Sequence, residues 1–275
     1  MISATTRQLR ASYAFVERNA HLVKRYWSWE LVWLAYSIAN SLSVSYIGLG
    51  MEQISGQEID GRYLVLYLVV GTLVWRYLSL IFYWITDVIG LERWEGTIEY
   101  TLMAPIHRLT HMAGQTVFAV AYSLLFTAII LAVTVKLFQI DLTNANLFGV
   151  TLVMLSGSLS FIGIGIVGSI LPLLFPERGA QMTHVIIAML LLVSGVYYPV
   201  AVLPPTLRML SVFSPATYVL DGTRKALLDG LPTAQLWSSI WPTLVAGVIA
   251  IPIGLWVFGL AERYAKRTGK LHRNG

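Results

Sequence analysis

Apolar runs of membrane length recur along the chain, divided by short polar segments. They span roughly residues 29–50, 63–86, 109–138, 147–175, 182–198 and 236–261. All but the fifth reach the ~20 residues needed to cross the hydrocarbon of a bilayer. The pattern predicts an all-α membrane protein with six transmembrane helices. The first run is polar in its second half, with Asn40, Ser41, Ser43 and Ser45. Such groups need partners in a dry bilayer, so that half packs on protein or lines a wet cavity. Pro172 and Pro176 close the fourth run, and Pro176-Glu177-Arg178-Gly179 reads as a tight polar turn. In the sixth, Pro242 and Pro252 predict a kink.

Between and before these runs the period changes. In 5–27, Leu9, Tyr13, Val16, Ala20, Val23 and Trp27 recur at steps of three and four. That places them on one helical face, with charged residues over much of the rest. A helix of this kind lies in the headgroup plane; packing on a soluble partner is the alternative. Residues 52–62 read as a short acidic loop. Residues 199–235 contain Pro199, Pro204, Pro205, Pro215 and Pro232 among apolar residues. Two short helices are expected there, near 205–213 and 216–228, forming a hairpin that dips back into the outer leaflet. Ser214 and Pro215 suit the cap and first turn of the second.

Composition agrees: 56% of the 275 residues are hydrophobic and 12% charged, about half the charge of a soluble domain. The net charge of +5 is carried mainly by the two ends, which suits a membrane surface and not nucleic acid. Absence of cysteine excludes a disulfide frame, a thiolate metal site and a cysteine nucleophile. The N-terminal stretch does not read as a removable signal, because the apolar run after Arg25 is of full length. Thirteen Lys and Arg fall on the side of both termini and four on the other. The positive-inside rule therefore puts both termini in the cytoplasm of a multi-pass cell-membrane protein. One membrane domain over 1–275 is expected: an interfacial helix at 1–28, a six-helix core at 29–261 and a basic cytoplasmic tail at 262–275.

The longest charged interruption is 91–105, on the cytoplasmic side between the second and third crossings. Glu92, Glu95 and Glu99 at spacings of three and four give an acidic face to a helix. Gly96 interrupts or bends that helix, and Pro105 suits the first turn of the next. A short helix bracketed by breakers can act as a lever on the membrane face; an ordinary solvated loop is the alternative. Arg76, near the middle of the second crossing, needs a partner, a wet cavity or an anionic substrate group. Asn40 and its neighbouring serines are candidate partners. His107 and His111 have one-face metal spacing, but Arg108 stands where a metalloprotease needs Glu and no third ligand is evident. Gly163-x-Gly165-x-x-Gly168 lies in an apolar crossing with no strand before it, and its small residues permit close helix packing. Gly269-Lys270-Leu271 lacks the Ser or Thr and the earlier glycine of a phosphate-cradling loop, so any energy from ATP must enter through another protein.

Glu95-Gly96-Thr97-Ile98-Glu99-Tyr100-Thr101-Leu102-Met103-Ala104-Pro105 resembles the E-x-G-T-x-E-x-x-L-x-x-P signature of type-2 ABC exporter permeases, with Trp94 inserted in the usual E-R-E lead of Glu92-Arg93. Ser194-Gly195-Val196-Tyr197-Tyr198-Pro199, Leu203-Pro204, Ser214-Pro215-Ala216-Thr217-Tyr218 and Arg224 are similar to the C-terminal consensus of that family. The resemblance spans nearly the whole chain. It implies that Glu92, Arg93, Glu95, Gly96, Thr97, Glu99 and Pro105 belong to a coupling helix against a separate ABC ATPase subunit, and that two permease copies or relatives form the pathway. It also implies that Pro199, Pro204, Pro215, Tyr218 and Arg224 belong to the outer re-entrant hairpin. ATP and magnesium would then be bound by the partner and no cofactor by this chain. The reading is a non-catalytic exporter permease for a drug, antibiotic, lipid or lipid-linked glycan, with membrane lipids as surroundings. An ion-coupled secondary transporter and a membrane enzyme acting on lipid are the rivals. The first usually shows internal repeats and mid-membrane charges, and the second predicts turnover that depends on His107 or His111.

Overall fold

A computed structural model describes residues 4–55, 61–139 and 142–269. These residues are helical, with no strand among them. The helices are α1 (Ala4–Arg25), α2 (Trp27–Ser55), α3 (Gly61–Glu95), α4 (Ile98–Met103), α5 (Arg108–Phe138), α6 (Leu147–Gly168), α7 (Ile170–Leu174), α8 (Gly179–Ser194), α9 (Pro205–Ser211), α10 (Pro215–Leu227) and α11 (Trp237–Arg267). Among the described residues, five helical stretches are long and apolar enough to cross a membrane: α2, α3, α5, α6 with α7, and α11 with the 3-10 turn before it. The fifth expected crossing corresponds to α8, a shorter apolar helix that stops at Gly195. Gly195 is left-handed (φ 71°), so the run ends four residues before Pro199.

The centre is α3. In its apolar window 72% of residues are buried, and in that of α6–α7 67%, against 22% for α2 and 17% for α11. The outer helices therefore turn apolar side chains outward, which in a chain of this composition means lipid or another membrane protein. Tyr77, Leu78, Ile81, Phe82 and Ile85 of α3 form the main core with Phe161 and Ile166 of α6, Leu220 of α10 and Phe258 of α11. A smaller cluster joins Val65, Val69 and Leu73 of α3 to Ile130 of α5 and Leu34 and Ile38 of α2. The buried hydroxyl of Tyr77 is satisfied by Ser158 at 2.5 Å, as a dry interior requires.

Small residues set how closely the helices approach. A Cβ on Gly163 would lie 2.4 Å from Ala250 Cβ and 2.8 Å from the Ala250 carbonyl carbon, so α6 and α11 touch backbone to backbone. Gly165 and Gly168 face Ile85 and Phe82 of α3 instead. Leucine at Gly163 should therefore lower stability by about 2–3 kcal/mol, read as a fall in the melting temperature of the detergent-purified chain. Unchanged melting would mean that this seam opens freely.

The serines of α2 divide by face. Ser37, Ser41 and Ser45 are buried at four-residue spacing, while Asn40 is exposed. Ser37, Ser43 and Ser45 hydrogen-bond carbonyls four residues back in their own helix, the common local solution for hydroxyls in lipid. The expected acidic loop shrinks, since α2 runs to Ser55 and α3 starts at Gly61. Residues 56–60, like 270–275 of the basic tail, lie outside the described residues. Pro176-Glu177-Arg178 does form a turn before α8, and α11 continues through Pro242 and Pro252.

Candidate functional site

The second crossing does not stop at Thr86. It continues as one helix to Glu95, 35 residues in all. At about 1.5 Å per residue, α3 is near 50 Å long and projects beyond the hydrocarbon. Gly96 ends it in the left-handed region at φ 76°. Thr97 N–H donates to Glu92 C=O (2.8 Å) and Gly96 N–H to Arg93 C=O (3.2 Å), the bond pair of a Schellman C-cap. Thr97 then stands at the N-terminus of the six-residue α4. Pro105 is not in the first turn of α5, as expected, but three residues before it. A proline disfavours helix in the residue ahead of it, and Ala104 is extended (ψ 144°). His107 supplies the N-cap of α5.

This turn breaks up the expected acidic face. Glu92 and Arg93 are buried, Glu99 is half-buried and Glu95 is exposed. Outward from α3, Gly96 and α4 stand Trp94, Tyr100 and Met103, each more than 70% exposed, together with Glu95, Thr97 and Pro105. Ile98 and Leu102 point the other way, into the core. The free surface of 91–105 thus presents two aromatic rings, one methionine and one carboxylate, on a helix pinned by two apolar residues.

What holds the end of α3 is a cluster that spacing alone does not reveal. Glu92 Oε1 accepts from Arg18 Nη1 at 3.0 Å and lies 3.4 Å from His111 Nε2. Phe15 covers the His111 ring at 4.7 Å between centroids. His107 and His111 therefore do not act together: His111 is buried against Glu92, and the His107 side chain is exposed. Arg93 lies within electrostatic reach of Glu99 and so links α3 to α4.

The cluster also shows which face of α1 is used. The polar and small face docks on α5. Gln8 Oε1 accepts from Thr110 Oγ1 (2.7 Å) and His107 N–H (3.2 Å), Ser12 Oγ donates to Thr110 C=O (2.8 Å), and Asn19 donates to Gln115. Gly114 admits this approach, since a Cβ there would lie 2.6 Å from Ser12 C=O. Of the expected apolar stripe, Leu9, Tyr13 and Trp27 are all more than 60% exposed, as a face turned to the headgroup layer would be. Beside the junction, a cleft of about 380 Å³ opens between α1, α3 and the α7–α8 turn, lined in part by Leu22, Trp84, Asp87, Trp94 and Pro176.

At the other end of α3 the two expected short helices are present as α9 and α10. Pro199 and Pro204 precede a 3-10 turn and α9, and Pro215 opens α10. Ser214 makes no side-chain capping bond; its hydroxyl pairs with Ser194 Oγ at 2.7 Å and ties the hairpin to α8. Tyr218 donates to Val212 C=O at 2.9 Å. Arg224 is the clasp: it donates to Gly195 C=O (3.0 Å) and Val196 C=O (2.7 Å) and lies 3.5 Å over the Tyr67 ring of α3. Arg76 does not reach Asn40. Its charge is felt by Tyr36 and Tyr122, and its Nε is buried without a hydrogen bond.

Two comparisons bear on these arrangements. The chain is 27% identical over 160 residues to the probable multidrug ABC transporter permease YbhR of Escherichia coli strain K12, and equally to that of Escherichia coli O157:H7. Each match covers 57% of this chain and 42% of the relative, so the chain accounts for less than half of the length of these proteins. The family description ABC-2 type transporter matches residues 13–228, from α1 through the hairpin clasp. That range covers well over half of the chain and contains the later part of α1 and the α3–α4 junction, and on it the chain belongs to the ABC-2 type transporter family, as a membrane domain of an ABC transporter.

Proposed function

We propose that this chain is the permease subunit of an ATP-driven exporter, with 91–105 as its coupling region against a separate ATPase subunit. The observation that carries the reading is the contrast within that segment. Glu92, Arg93, Ile98 and Leu102 are anchored inside, while Trp94, Glu95, Tyr100 and Met103 stand unpaired outside. Exposed aromatic residues and methionine beside a charge are the composition of a protein interface. A push on α4 is passed to α3 through the Gly96 cap and the Arg93–Glu99 pairing, and to α1 and α5 through Glu92. The cleft beside α3 leaves room for that end of the helix to move.

In this reading α8, lengthened by 195–198, is the fifth of six crossings, both termini are cytoplasmic, and α9–α10 form a hairpin in the outer leaflet. The exposed Leu9–Tyr13–Trp27 stripe rests α1 in the headgroup layer. Outward apolar faces on α2 and α11 suit a second permease copy or a related chain. ATP and magnesium belong to the ATPase, whose closure switches the crossings between inward- and outward-open states. The cargo is amphipathic or hydrophobic; the YbhR relatives are described as probable multidrug permeases.

Charge reversal at Glu95 (E95K) should reduce co-purification of the ATPase subunit about tenfold or more while leaving the melting temperature of the permease unchanged, because Glu95 is exposed; reversal at Glu99, half-buried and within electrostatic reach of Arg93, should also lower that temperature. Co-purification and transport at the level of the unaltered chain would overturn the coupling assignment.

A further inference from the structure

The cleft beside the end of α3 is more than room for motion. Trp84, Asp87, Leu91 and Trp94 all line it. They recur on α3 at steps of three and four, so they form one wall about 15 Å long. Leu22 and Arg18 of α1 line the cleft as well. Asp87 is exposed there and has no ion pair among the described residues. The Arg18 guanidinium is 40% exposed and meets Glu92 at 3.0 Å, which sets it about 7.5 Å along α3 from Asp87. That contact uses Nη1 and leaves other N–H donors of the planar fork. His184 approaches from α8: its ring centroid lies 5.1 Å from that of Tyr83, one turn before Asp87.

A carboxylate and a guanidinium on the walls of one apolar cleft select a ligand with the same layout. A lone ammonium would satisfy Asp87 and be repelled by Arg18, and a lone phosphate would meet the reverse. A zwitterion with a cationic end and a phosphate satisfies both. The guanidinium matches phosphate oxygens, Trp84 and Trp94 offer ring faces to an ammonium, and Leu22 and Leu91 offer apolar surface. The volume of about 380 Å³ lies in the range of small-molecule sites. The cleft also lies beside α1, whose outward Leu9–Tyr13–Trp27 stripe suits the layer where phospholipid heads meet acyl chains.

We propose that this cleft binds the headgroup of an ethanolamine phospholipid, with the primary ammonium on Asp87, the phosphate on Arg18 and the acyl chains along the apolar exterior. The lipid then lies against Leu91 and Trp94, directly behind the coupling region. Unlike a packed side chain it can leave when that end of α3 moves. The site requires only that the chain lies in a membrane, and goes beyond the exporter reading without depending on it.

The test is native mass spectrometry of the full chain, purified without nucleotide in a neutral maltoside detergent. It is titrated in separate arms with phosphatidylethanolamine, phosphatidylcholine and phosphatidylglycerol of the same acyl chains. The choline head cannot donate hydrogen bonds to a carboxylate, and the glycerol head has no cation. Retention of phosphatidylethanolamine over both by about tenfold is expected, the order of one charge-assisted contact. Asp87→Asn should bring it down to the level of the other two. Arg18→Gln should lower all three, since each carries a phosphate. Asp229→Asn, at an exposed carboxylate beyond α10, should leave the preference intact. A phosphatidylethanolamine with a photoreactive acyl chain should cross-link to peptides spanning 18–22, 84–94 or 172–183. Equal or greater retention of either other lipid overturns the proposal. So does undiminished preference in Asp87→Asn, or cross-linking confined to other segments. Ala180→Phe fills the cleft from α8 without touching its charges; should Asp87→Asn not fold, full ethanolamine preference in Ala180→Phe is the refuting result. Binding by the permease alone is read without the ATPase, so failure here leaves the coupling assignment standing.

Discussion

Glu92→Ala should be among the most damaging single changes in the chain. Its carboxylate is 2% exposed and is held by Arg18 from α1 and His111 from α5. Removing it leaves a buried histidine and an arginine facing an apolar gap. Breaking a buried pair by deleting one partner costs about 3–5 kcal/mol. Arg18, 40% exposed, can turn to water, so the lower end, about 3 kcal/mol, is expected. Arg18→Ala should cost less, about 1 kcal/mol, because the partly solvated partner contributes less. A double-mutant cycle in thermal unfolding measures the coupling between them. The same substitutions should loosen α1 from α5, seen as faster amide exchange in 8–19. If Glu92→Ala melts like the unaltered chain, the junction is not held by this cluster. Glu92→Gln, which keeps the shape and loses the charge, separates the electrostatic part from the packing part.

Arg224→Ala is the second. The guanidinium supplies hydrogen bonds to two carbonyls that close α8, at Gly195 and Val196, and lies on Tyr67. Without it both carbonyls lose donors in a place poor in water, at about 1–3 kcal/mol each. Lysine restores a charge but not the fork, and should recover less than half. Gly71→Ala attacks the same contact from the other side, since its Cβ would lie 2.1 Å from Val196 C=O and 2.9 Å from Arg224 Nη2. The backbone at 196 would have to move. Both variants should release the 195–215 segment to limited proteolysis from the face opposite the termini, with a melting temperature several degrees lower. Resistance equal to that of the unaltered chain would show that the hairpin is held elsewhere, for example by Ser194 and Ser214.

The two sites differ in how much of them was legible. The Glu95–Pro105 stretch announces itself through breakers and charge, and the break at Gly96 is where it was expected. The depth of each residue was not legible. Spacings of three and four put Glu92 and Glu99 on one face only if one helix contains both, and the left-handed turn at Gly96 separates them. The apolar stripe of α1 was legible as a stripe, but the polar face that packs on α5 was not. Periodicity gives the faces of a helix but not their partners, and in a membrane an apolar face needs no protein to cover it. Gln8, Ser12 and Asn19 form the packed face because Gly114 lets α5 come close and because α5 offers Thr110 and Gln115.

The amino-acid sequence by itself determined the all-helical membrane class, the approximate place of the long apolar helices and the breaks at Gly96 and Pro215, but not the stop of α8 at Gly195 or the run of α3 on to Glu95. The legible features depend on side-chain composition within one or two turns and on backbone freedom at single residues. Tertiary structure alone decided that Glu92 meets Arg18 across 74 positions and that Arg224 closes on carbonyls 28 and 29 positions away. Such pairings follow from which helices pack side by side and at what height, and no local spacing encodes that.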